Sequence, residues 1–389
     1  MPGTSNRLKQ IPPYLFEEID RKKKEAIARG VDIISLGIGD PDQPTPAYIV
    51  ESMQKAVADP ANHDYPSSSG ELDFRETVAG WYRSRFDVEV DPATEVTALI
   101  GSKEGLAHIS LAYIDSGDIA LVPSPSYPVY KMWTLMAGGE PYLLPLTAEN
   151  KFIPDLRSIP QDVLNKAKLL YLNYPNNPTG AVVTVEFLKE AVEFAKANDL
   201  LIIYDNAYCD MVFNNYEAPS ILQIEGAKDV AIEFTSLSKS YNMTGWRIGM
   251  AAGSPSAVKA LRVIKSNADS GQFKAVEKAA ITAFNSSRTI SEQNDIYTRR
   301  RNILLEGLNS MGWQLEPPKA TFYFWVPVPK GETSASFAGK LLDECGLVTV
   351  PGNGYGESGE GYVRMAITVS EERIAEAVKR MKDKGISYS

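Results

Sequence analysis

Lys239 stands in a stretch of sequence that could bind an aldehyde and a phosphate at the same time. Residues 235–247 place Ser236, Ser238, Lys239 and Arg247 within one short segment. A lysine amine has a reference pKa of about 10.4, so it acts as a nucleophile only when neighbours lower that pKa or a carbonyl compound captures it as a Schiff base. A solvated surface lysine would have no such role. The interpretation therefore depends on the residues that accompany Lys239.

A second segment, 101–105, could bind a phosphate. It reads Gly-Ser-Lys-Glu-Gly and lies where a predicted strand passes into a helix. Helix N-termini present unpaired N–H groups and a positive dipole end to anions, although Ser102 would also serve as a plain helix cap. Ser236, Ser238 and Arg247 would complete a phosphate cradle, since arginine offers a bidentate fork to phosphate oxygens.

Asp205 supplies a carboxylate at the end of the apolar run 200–204. An unpaired carboxylate is costly there, whereas a protonated pyridine ring would neutralise it. An aldehyde, a phosphate and a pyridine ring together describe pyridoxal phosphate, which works as an electron sink while its ring nitrogen stays protonated. Tyr208 could reach the phenolic oxygen of that cofactor. A strand-end Asp that starts a turn is the alternative reading.

Four other positions could complete such a site. Asn177 lies in the turn-rich segment 173–180 and could donate to the phenolic oxygen, although the segment could also be only a tight loop. Tyr127 follows another strand and could stack on the ring or simply pack. Tyr65 is a further candidate phosphate donor. Arg364 lies in an apolar stretch, where a substrate carboxylate or a structural salt bridge would balance its charge.

Composition narrows the class of protein. The chain has 389 residues, 44% hydrophobic and 23% charged, which suits a globular protein of two domains. Its net charge of -9 argues against nucleic acid and anionic membranes as partners and favours small-molecule substrates. The sequence shows no signal peptide or apolar run of membrane-spanning length, so we expect a cytoplasmic protein. Two cysteines and two histidines make a disulfide framework, a zinc site or a histidine-rich metal centre improbable.

Apolar runs of strand length alternate with helical stretches, which predicts an α/β fold with a mostly parallel sheet. The polar clusters follow the strands, as expected where ligands gather at the carboxyl ends of a parallel sheet. We predict a large α/β domain at residues 36–290 and a smaller α+β domain built from 1–35 and 291–389. The predicted strands are 96–100, 119–122, 167–172, 200–204, 230–234 and 248–252, with helices at 15–29, 103–114 and 185–198.

Three motifs taken together resemble the class I/II aminotransferases of pyridoxal-phosphate fold type I. They are Ser-Leu-Ser-Lys at 236–239 with Thr-Gly-Trp-Arg at 244–247, Asn-Asn-Pro-Thr-Gly at 176–180, and Tyr-Asp-Asn-Ala-Tyr at 204–208. The resemblance covers nearly the whole chain, with the motifs in the family's order. It implies a large domain with a seven-stranded sheet, a small domain from both chain ends, and a homodimer with shared active sites.

The resemblance also assigns roles to residues. It implies that Lys239 forms the Schiff base, Asp205 pairs with the ring nitrogen, Asn177 and Tyr208 donate to the phenolate oxygen, and Tyr127 stacks on the ring. It gives the phosphate to Ser102, Lys103, Ser236, Ser238, Arg247 and, from the partner chain, Tyr65. Arg364 would bind the substrate's α-carboxylate.

Within the family, segments 101–105, 126–130, 319–323 and 351–356 resemble the LL-diaminopimelate aminotransferases. This subgroup implies substrate contacts from Tyr14, Gly39, Lys103, Asn177 and Asn267, and a reaction that links LL-diaminopimelate and 2-oxoglutarate to tetrahydrodipicolinate and glutamate in lysine biosynthesis. Many members carry a Glu after the Tyr65 position to receive the distal ammonium, whereas this chain has serine at 67, 68 and 69.

Three alternative functions share the fold. An alanine- or aspartate-type aminotransferase of broader specificity would use the same catalytic residues. A pyridoxal-dependent lyase or decarboxylase would need no keto-acid acceptor. A regulatory sensor would need a DNA-binding segment ahead of residue 30, and the sequence there does not suggest one.

Overall fold

The computed structural model of the chain describes residues 3–11, 15–286 and 288–388. The strands are β1 (Ile34–Ser35), β2 (Val96–Leu99), β3 (Ile119–Ser124), β4 (Glu140–Pro145), β5 (Ala167–Asn173), β6 (Leu201–Asp205), β7 (Ala231–Ser236), β8 (Gly249–Gly253), β9 (Tyr323–Pro327), β10 (Leu347–Val348), β11 (Val350–Pro351) and β12 (Tyr362–Ala366). The helices are α1 (Asn6–Lys9), α2 (Leu15–Ala28), α3 (Ala47–Ala58), α4 (Leu72–Phe86), α5 (Ser102–Tyr113), α6 (Val129–Ala137), α7 (Gln161–Leu164), α8 (Val185–Ala197), α9 (Ala227–Val230), α10 (Leu237–Ser240), α11 (Pro255–Ala268), α12 (Lys274–Phe284), α13 (Arg288–Ser310), α14 (Ser334–Cys345) and α15 (Glu371–Asp383).

Seven strands form the central sheet in the order β2-β8-β7-β6-β5-β3-β4. Only β8 runs antiparallel to its neighbours, so six strands end at the same edge. The inner strands are almost wholly buried, as expected for a parallel sheet covered by helices on both faces. All six predicted strands are confirmed, and the α/β fold with them. The edge strand β4 was not among them.

A second, smaller sheet pairs β11, β12 and β9 in antiparallel fashion. Helix α13 packs on α15, and α14 packs on β12, around a core separate from those of the large sheet. Strand β9 contains the aromatic residues Tyr323, Phe324 and Trp325. The division into residues 36–290 and the chain ends 1–35 with 291–389 remains a prediction.

Among the residues that the structure describes, no helix is both long enough and apolar enough to cross a membrane.

Candidate active site

A cavity of about 310 Å³ opens at the carboxyl edge of the central sheet, below the small sheet. Parallel strands deliver their C-terminal residues to one edge, which is why polar side chains from distant parts of the chain meet here. The cavity is lined by Ile38, Gly39, Ser102, Lys103, Tyr127, Asn173, Asn177, Asp205, Ala207, Tyr208, Ser236, Ser238, Lys239, Thr244, Arg247, Tyr323 and Arg364. Twelve of the fifteen site residues predicted from the sequence are among these residues.

Lys239 projects from α10, the one-turn helix that follows β7. Ser236 caps this helix by accepting from the N–H of Ser238, which fixes the turn that carries the lysine. The Lys239 Nζ donates to the carbonyl of Gly39 at 2.9 Å. Burial lowers the pKa of Lys239 to about 8, although the nearby Asp40 carboxylate acts in the opposite direction. The amine therefore reaches its neutral, nucleophilic form at a much lower pH than an exposed lysine would.

Asp205 ends β6 and is 5% exposed. Its Oδ2 accepts from the hydroxyl of Tyr130 at 2.7 Å, whereas its buried Oδ1 has no hydrogen-bond partner among the described residues. Burial raises the pKa of Asp205 to about 6, against the lowering effect of the Tyr130 hydrogen bond. A buried carboxylate oxygen that lacks a donor is what a pyridinium N–H would satisfy. The residue thus fits the predicted ring-nitrogen partner.

The predicted phosphate cradle lies at the N-terminus of α5. Gly101 has φ +75°, and a Cβ there would lie 2.1 Å from Nη2 of Arg247, so only glycine lets the turn approach the guanidinium. Arg247 also donates to the carbonyl of Thr244 at 2.7 Å, which holds it in place. Burial and the charge of Arg247 lower the pKa of Lys103. Two cations beside a helix N-terminus fit a phosphate group.

A network of side chains behind α5 braces this cradle. Glu104 accepts from the N–H of Ile100 at 2.9 Å and from Nζ of Lys265 at 3.1 Å. Lys265 is 1% exposed and also donates to Asp269. Glu104, His108 and Asp269 lie close enough together to suggest a metal site. The Lys265 ammonium pairs with both carboxylates, so we interpret the group as a structural ion-pair network.

Arg364 comes from β12 and is 1% exposed. Its Nη1 donates to Oδ1 of Asn177 at 2.8 Å, and its Nη2 donates to the carbonyl of Gly37 at 2.6 Å. The guanidinium carbon lies 4.1 Å from the ring centre of Tyr323. These contacts fix the orientation of a buried guanidinium at the cavity wall. A fixed fork of this kind suits a carboxylate ligand.

Two tyrosines of the site were not predicted from the sequence. Tyr130 is the donor to Asp205 and lies on the first turn of α6, three residues after Tyr127, a spacing that could have indicated a shared face. Tyr323 lines the cavity, and its hydroxyl is 3.0 Å from that of Tyr208. Tyr323 belongs to the segment 319–323, but the sequence analysis gave it no role in the site. Both residues therefore act on predicted site residues and were missed because that contact is tertiary.

Two predicted residues of the described ranges do not line this cavity, and a third falls outside those ranges. Tyr65 is 88% exposed on the surface of its own chain. Asn267 is not part of the cavity and instead donates to the carbonyl of Val263 at 2.8 Å on α11. Tyr14 lies outside the described residues. A role of Tyr65 in a partner's site remains a prediction, as do the substrate contacts of the other two.

Comparisons with known proteins agree with this geometry. A family model described as "Aminotransferase class I and II" matches residues 31–381. The chain is 54% identical over 387 residues, 99% of both proteins, to "LL-diaminopimelate aminotransferase 2" of Trichormus variabilis. It is 54% identical over 380 residues to "LL-diaminopimelate aminotransferase" of Aquifex aeolicus, covering 97% of this chain and 98% of that protein.

Solved structures show the same fold along the whole chain. BacF from Bacillus subtilis is 36% identical, with a TM-score of 0.96 and 100% of each chain covered. An aspartate aminotransferase from Thermus thermophilus is 28% identical, with a TM-score of 0.92 over 98% of this chain and 100% of that one. A match over nearly the whole sequence, together with a lysine, a carboxylate and a phosphate cradle around one cavity, leads to one assignment. The chain belongs to the class I and II aminotransferases.

Proposed function

We propose that this aminotransferase interconverts LL-2,6-diaminopimelate and tetrahydrodipicolinate, with 2-oxoglutarate and glutamate as the second substrate pair. The main support is similarity over almost the full length to several proteins of that name, at half or more of all positions. The biosynthetic direction would take the amino group from glutamate. Tetrahydrodipicolinate would then become LL-diaminopimelate, a precursor in lysine biosynthesis.

The enzyme uses pyridoxal 5′-phosphate, which when bound accepts the electron pair left on the substrate's α-carbon. Asp205 would hold the protonated ring nitrogen with its unpaired Oδ1. Asn177 and Tyr208 would donate to the phenolate oxygen, and Tyr127 would stack on the ring. The cradle of Ser102, Lys103, Ser236, Ser238 and Arg247 would take the phosphate.

Arg364 would bind the substrate's α-carboxylate and so set which face of the α-carbon points at Lys239. Lys239 would then move the proton between that carbon and the cofactor, as general base and general acid in turn. With its pKa lowered to about 8, the lysine is neutral to roughly 10% at pH 7. An exposed lysine would be neutral to only ~0.03% at that pH, so the lowered pKa gives a roughly 300-fold larger fraction of active base.

A broader alanine- or aspartate-type aminotransferase is the second candidate. One observation favours it: the chain carries Ser67, Ser68 and Ser69 where many diaminopimelate enzymes carry a Glu for the distal ammonium. Without a carboxylate at that point, discrimination for a second amino group would have to come from other groups. The two candidates share every catalytic step and differ only in the substrate's far end.

A substrate panel separates the candidates. The protein loaded with pyridoxal phosphate is titrated with LL-diaminopimelate, its meso isomer, alanine and aspartate, and loss of the cofactor's visible absorbance is followed in single turnover. The proposal predicts kcat/KM at least about 100-fold higher for the LL isomer than for alanine or aspartate, equivalent to about 2.7 kcal/mol. Comparable values for all four would establish the broader enzyme. Arg364→Ala serves as a control, because it should weaken every substrate alike.

We also propose that the active enzyme is a homodimer in which Tyr65 reaches the phosphate in the partner's cavity. Its 88% exposure on its own chain supports a role in a shared site. Lys239→Ala and Tyr65→Phe chains, each impaired alone, are unfolded and refolded together. Randomly assorted dimers would recover about a quarter of wild-type activity, since half are hybrids with one intact site. No recovery would place Tyr65 outside the partner's site.

A cytoplasmic location completes the proposal. Cys209 and Cys345 are both buried free thiols, which suits a reducing compartment. Fractionation of the producing cells would test it, since recovery of the activity outside the cytoplasmic fraction would contradict the location.

A further inference from the structure

Residues 36–45, called here the 36–45 strap, run from β1 across the edge of the cavity towards α3. The outer side of the strap is bonded to the small sheet's end. The N–H of Ala366 donates to the carbonyl of Leu36 at 2.6 Å, and the hydroxyl of Thr368 donates to the carbonyl of Ile38 at 2.6 Å. These bonds fix alternate carbonyls, as along the edge of a strand.

The inner side of the strap faces the active site. The carbonyl of Gly37 accepts from Nη2 of Arg364 at 2.6 Å, and the carbonyl of Gly39 accepts from Nζ of Lys239 at 2.9 Å. Two consecutive inner carbonyls therefore hold the two cations to which we have assigned substrate binding and proton transfer.

The far end of the strap is anchored by charge. Arg300 on α13 is 3% exposed and donates through Nη1 and Nη2 to the two carboxylate oxygens of Asp42 at 2.6 and 2.8 Å. Arg300 also donates to the carbonyl of Ile367 at 3.3 Å, next to the outer bonds of the strap. Beyond it, Thr45 donates to the carbonyl of Asn242, three residues after Lys239. The strap is thus tied to the end of β12, to α13 and to the segment that follows α10.

The Asp42–Arg300 pair fixes the geometry of the strap as well as balancing charge. Burial alone would raise the pKa of Asp42, but the hydrogen bonds and charge of Arg300 more than reverse this and lower it. A bidentate pair fixes distance and angle, which a single lysine contact cannot do. Arg300 is buried, so loss of the Asp42 carboxylate would leave its charge uncompensated and would displace the strap.

We propose that the Asp42–Arg300 pair positions the catalytic apparatus: by fixing the 36–45 strap, it sets where the carbonyls of Gly37 and Gly39 hold Arg364 and Lys239. Both are positioning residues, because neither lines the cavity. The inference rests on the proposed roles of Lys239 and Arg364. It does not depend on which amino acid is the physiological substrate.

The test uses substitutions that remove the bidentate Asp42–Arg300 pair but should preserve the fold. Arg300→Lys retains the positive charge and loses the bidentate geometry, and Asp42→Asn retains the shape and loses the charge. Arg83→Lys is the matched control, because Arg83 makes a similar two-armed pair with Glu89 on the exposed surface of α4. All three are measured in the full chain.

Two measurements distinguish a positioning role of the pair from a role in stability alone. The first is KM against kcat for an amino donor that wild type uses, which reports Arg364. The second is the pH dependence of the rate at which the cofactor-free chain captures added pyridoxal phosphate, which reports the Lys239 amine. The charged groups that act on that amine are Asp40, Arg364 and Arg247.

We expect both variants to raise KM by about tenfold, since a misplacement of about 1 Å can cost up to ~100-fold. The midpoint for cofactor capture should fall below the wild-type value, because the ammonium loses the Gly39 acceptor and the favourable charge of Asp40. Arg83→Lys should change neither quantity. Wild-type KM and midpoint in Arg300→Lys and Asp42→Asn would overturn the proposal, even if both variants melted at a lower temperature.

Failure of the proposed function would look different. If wild type ignored LL-diaminopimelate but used another amino donor, the substrate assignment would fall and the strap test would proceed with that donor. If Arg300→Lys proved insoluble, Asp42→Asn would decide the question, because it changes the more exposed partner, at 27% side-chain exposure, and the new amide oxygen can still accept from Arg300.

Discussion

Replacement of Asp205 by Asn should stabilise the cofactor-free protein while it disables the enzyme. The carboxyl is buried, and its pKa is raised from 3.8 to about 6 by that burial. A shift of about two units corresponds to ~3 kcal/mol of destabilisation once the group is ionised. The amide introduced by the substitution would still accept from Tyr130, but its NH₂ would lack a partner, at a cost of ~1 kcal/mol. The net gain expected at pH 8 is about 2 kcal/mol.

The gain in stability of cofactor-free Asp205→Asn over wild type should increase as the pH rises. The pKa of Asp205 is higher in the folded than in the unfolded chain. The destabilisation caused by its ionisation is therefore absent below about pH 4, grows between about pH 4 and 6, and is complete above about pH 6. Urea midpoints of cofactor-free wild type and Asp205→Asn would be compared at pH 8 and near pH 4. With pyridoxal phosphate present at pH 8 the order should reverse, since only the carboxylate neutralises the ring nitrogen.

Asp210→Asn is the matched control. Asp210 is also 5% exposed, but it pairs with Arg85 at 3.3 Å and accepts from Ser240 at 3.0 Å. Removal of its charge should lower the urea midpoint at pH 8, because Arg85 would lose its partner. If Asp205→Asn were no more stable than wild type at pH 8, or retained wild-type cofactor affinity, the assignment of Asp205 to the ring nitrogen would be refuted.

Three more substitutions test separate parts of the site. Tyr130→Phe removes a hydrogen bond that lowers the pKa of Asp205, so the acid limb of cofactor binding should move to higher pH by about one to two units, as read from a pH series of binding titrations. Arg364→Lys should lower kcat/KM by ~10- to 100-fold, mainly through KM in steady-state assays, because lysine cannot offer a fork to the α-carboxylate. In Gly39→Ala the new Cβ would lie 2.0 Å from the Tyr323 hydroxyl, so activity should fall by an amount equivalent to about 1–3 kcal/mol. Gly80→Ala has no atom within 4 Å of its new Cβ and should leave kcat/KM unchanged. Equal activity in the two alanine variants would contradict the close approach at Gly39.

The sequence predicted the fold well where apolar runs are continuous. The buried strands β5 and β6 have only Lys168 as a charged residue before their last position, so their apolar pattern is clear, whereas β7 also contains Glu233 and Thr235. Strand β4 escaped because it forms the edge of the sheet and is mostly half-exposed, with Pro141 and Pro145 interrupting the pattern. Its apolar character is too weak to distinguish it from a loop.

Site residues could be predicted from the sequence where the residue type itself indicates chemistry. They were missed where their role depends on a tertiary contact. Lys239, Asp205 and Arg247 lie near apolar strands in the sequence, where a charged side chain is costly unless it has a partner. The sequence alone therefore indicates that they are candidate site residues. Tyr130 and Tyr323 are ordinary aromatic residues until the fold brings their hydroxyls to Asp205 and Tyr208. Sequence spacing cannot report a hydrogen bond between strands and helices that lie far apart in the chain.

The most direct test of the account concerns the covalent partner of the cofactor. The protein loaded with pyridoxal phosphate is treated with borohydride, digested and mapped by mass spectrometry. The account predicts a single tag on Lys239, whose pKa burial lowers to about 8. Lys103 lines the same cavity and also has a lowered pKa, so it provides an internal competitor. A tag on Lys103 or any other lysine, or no tag at all, would contradict the central claim.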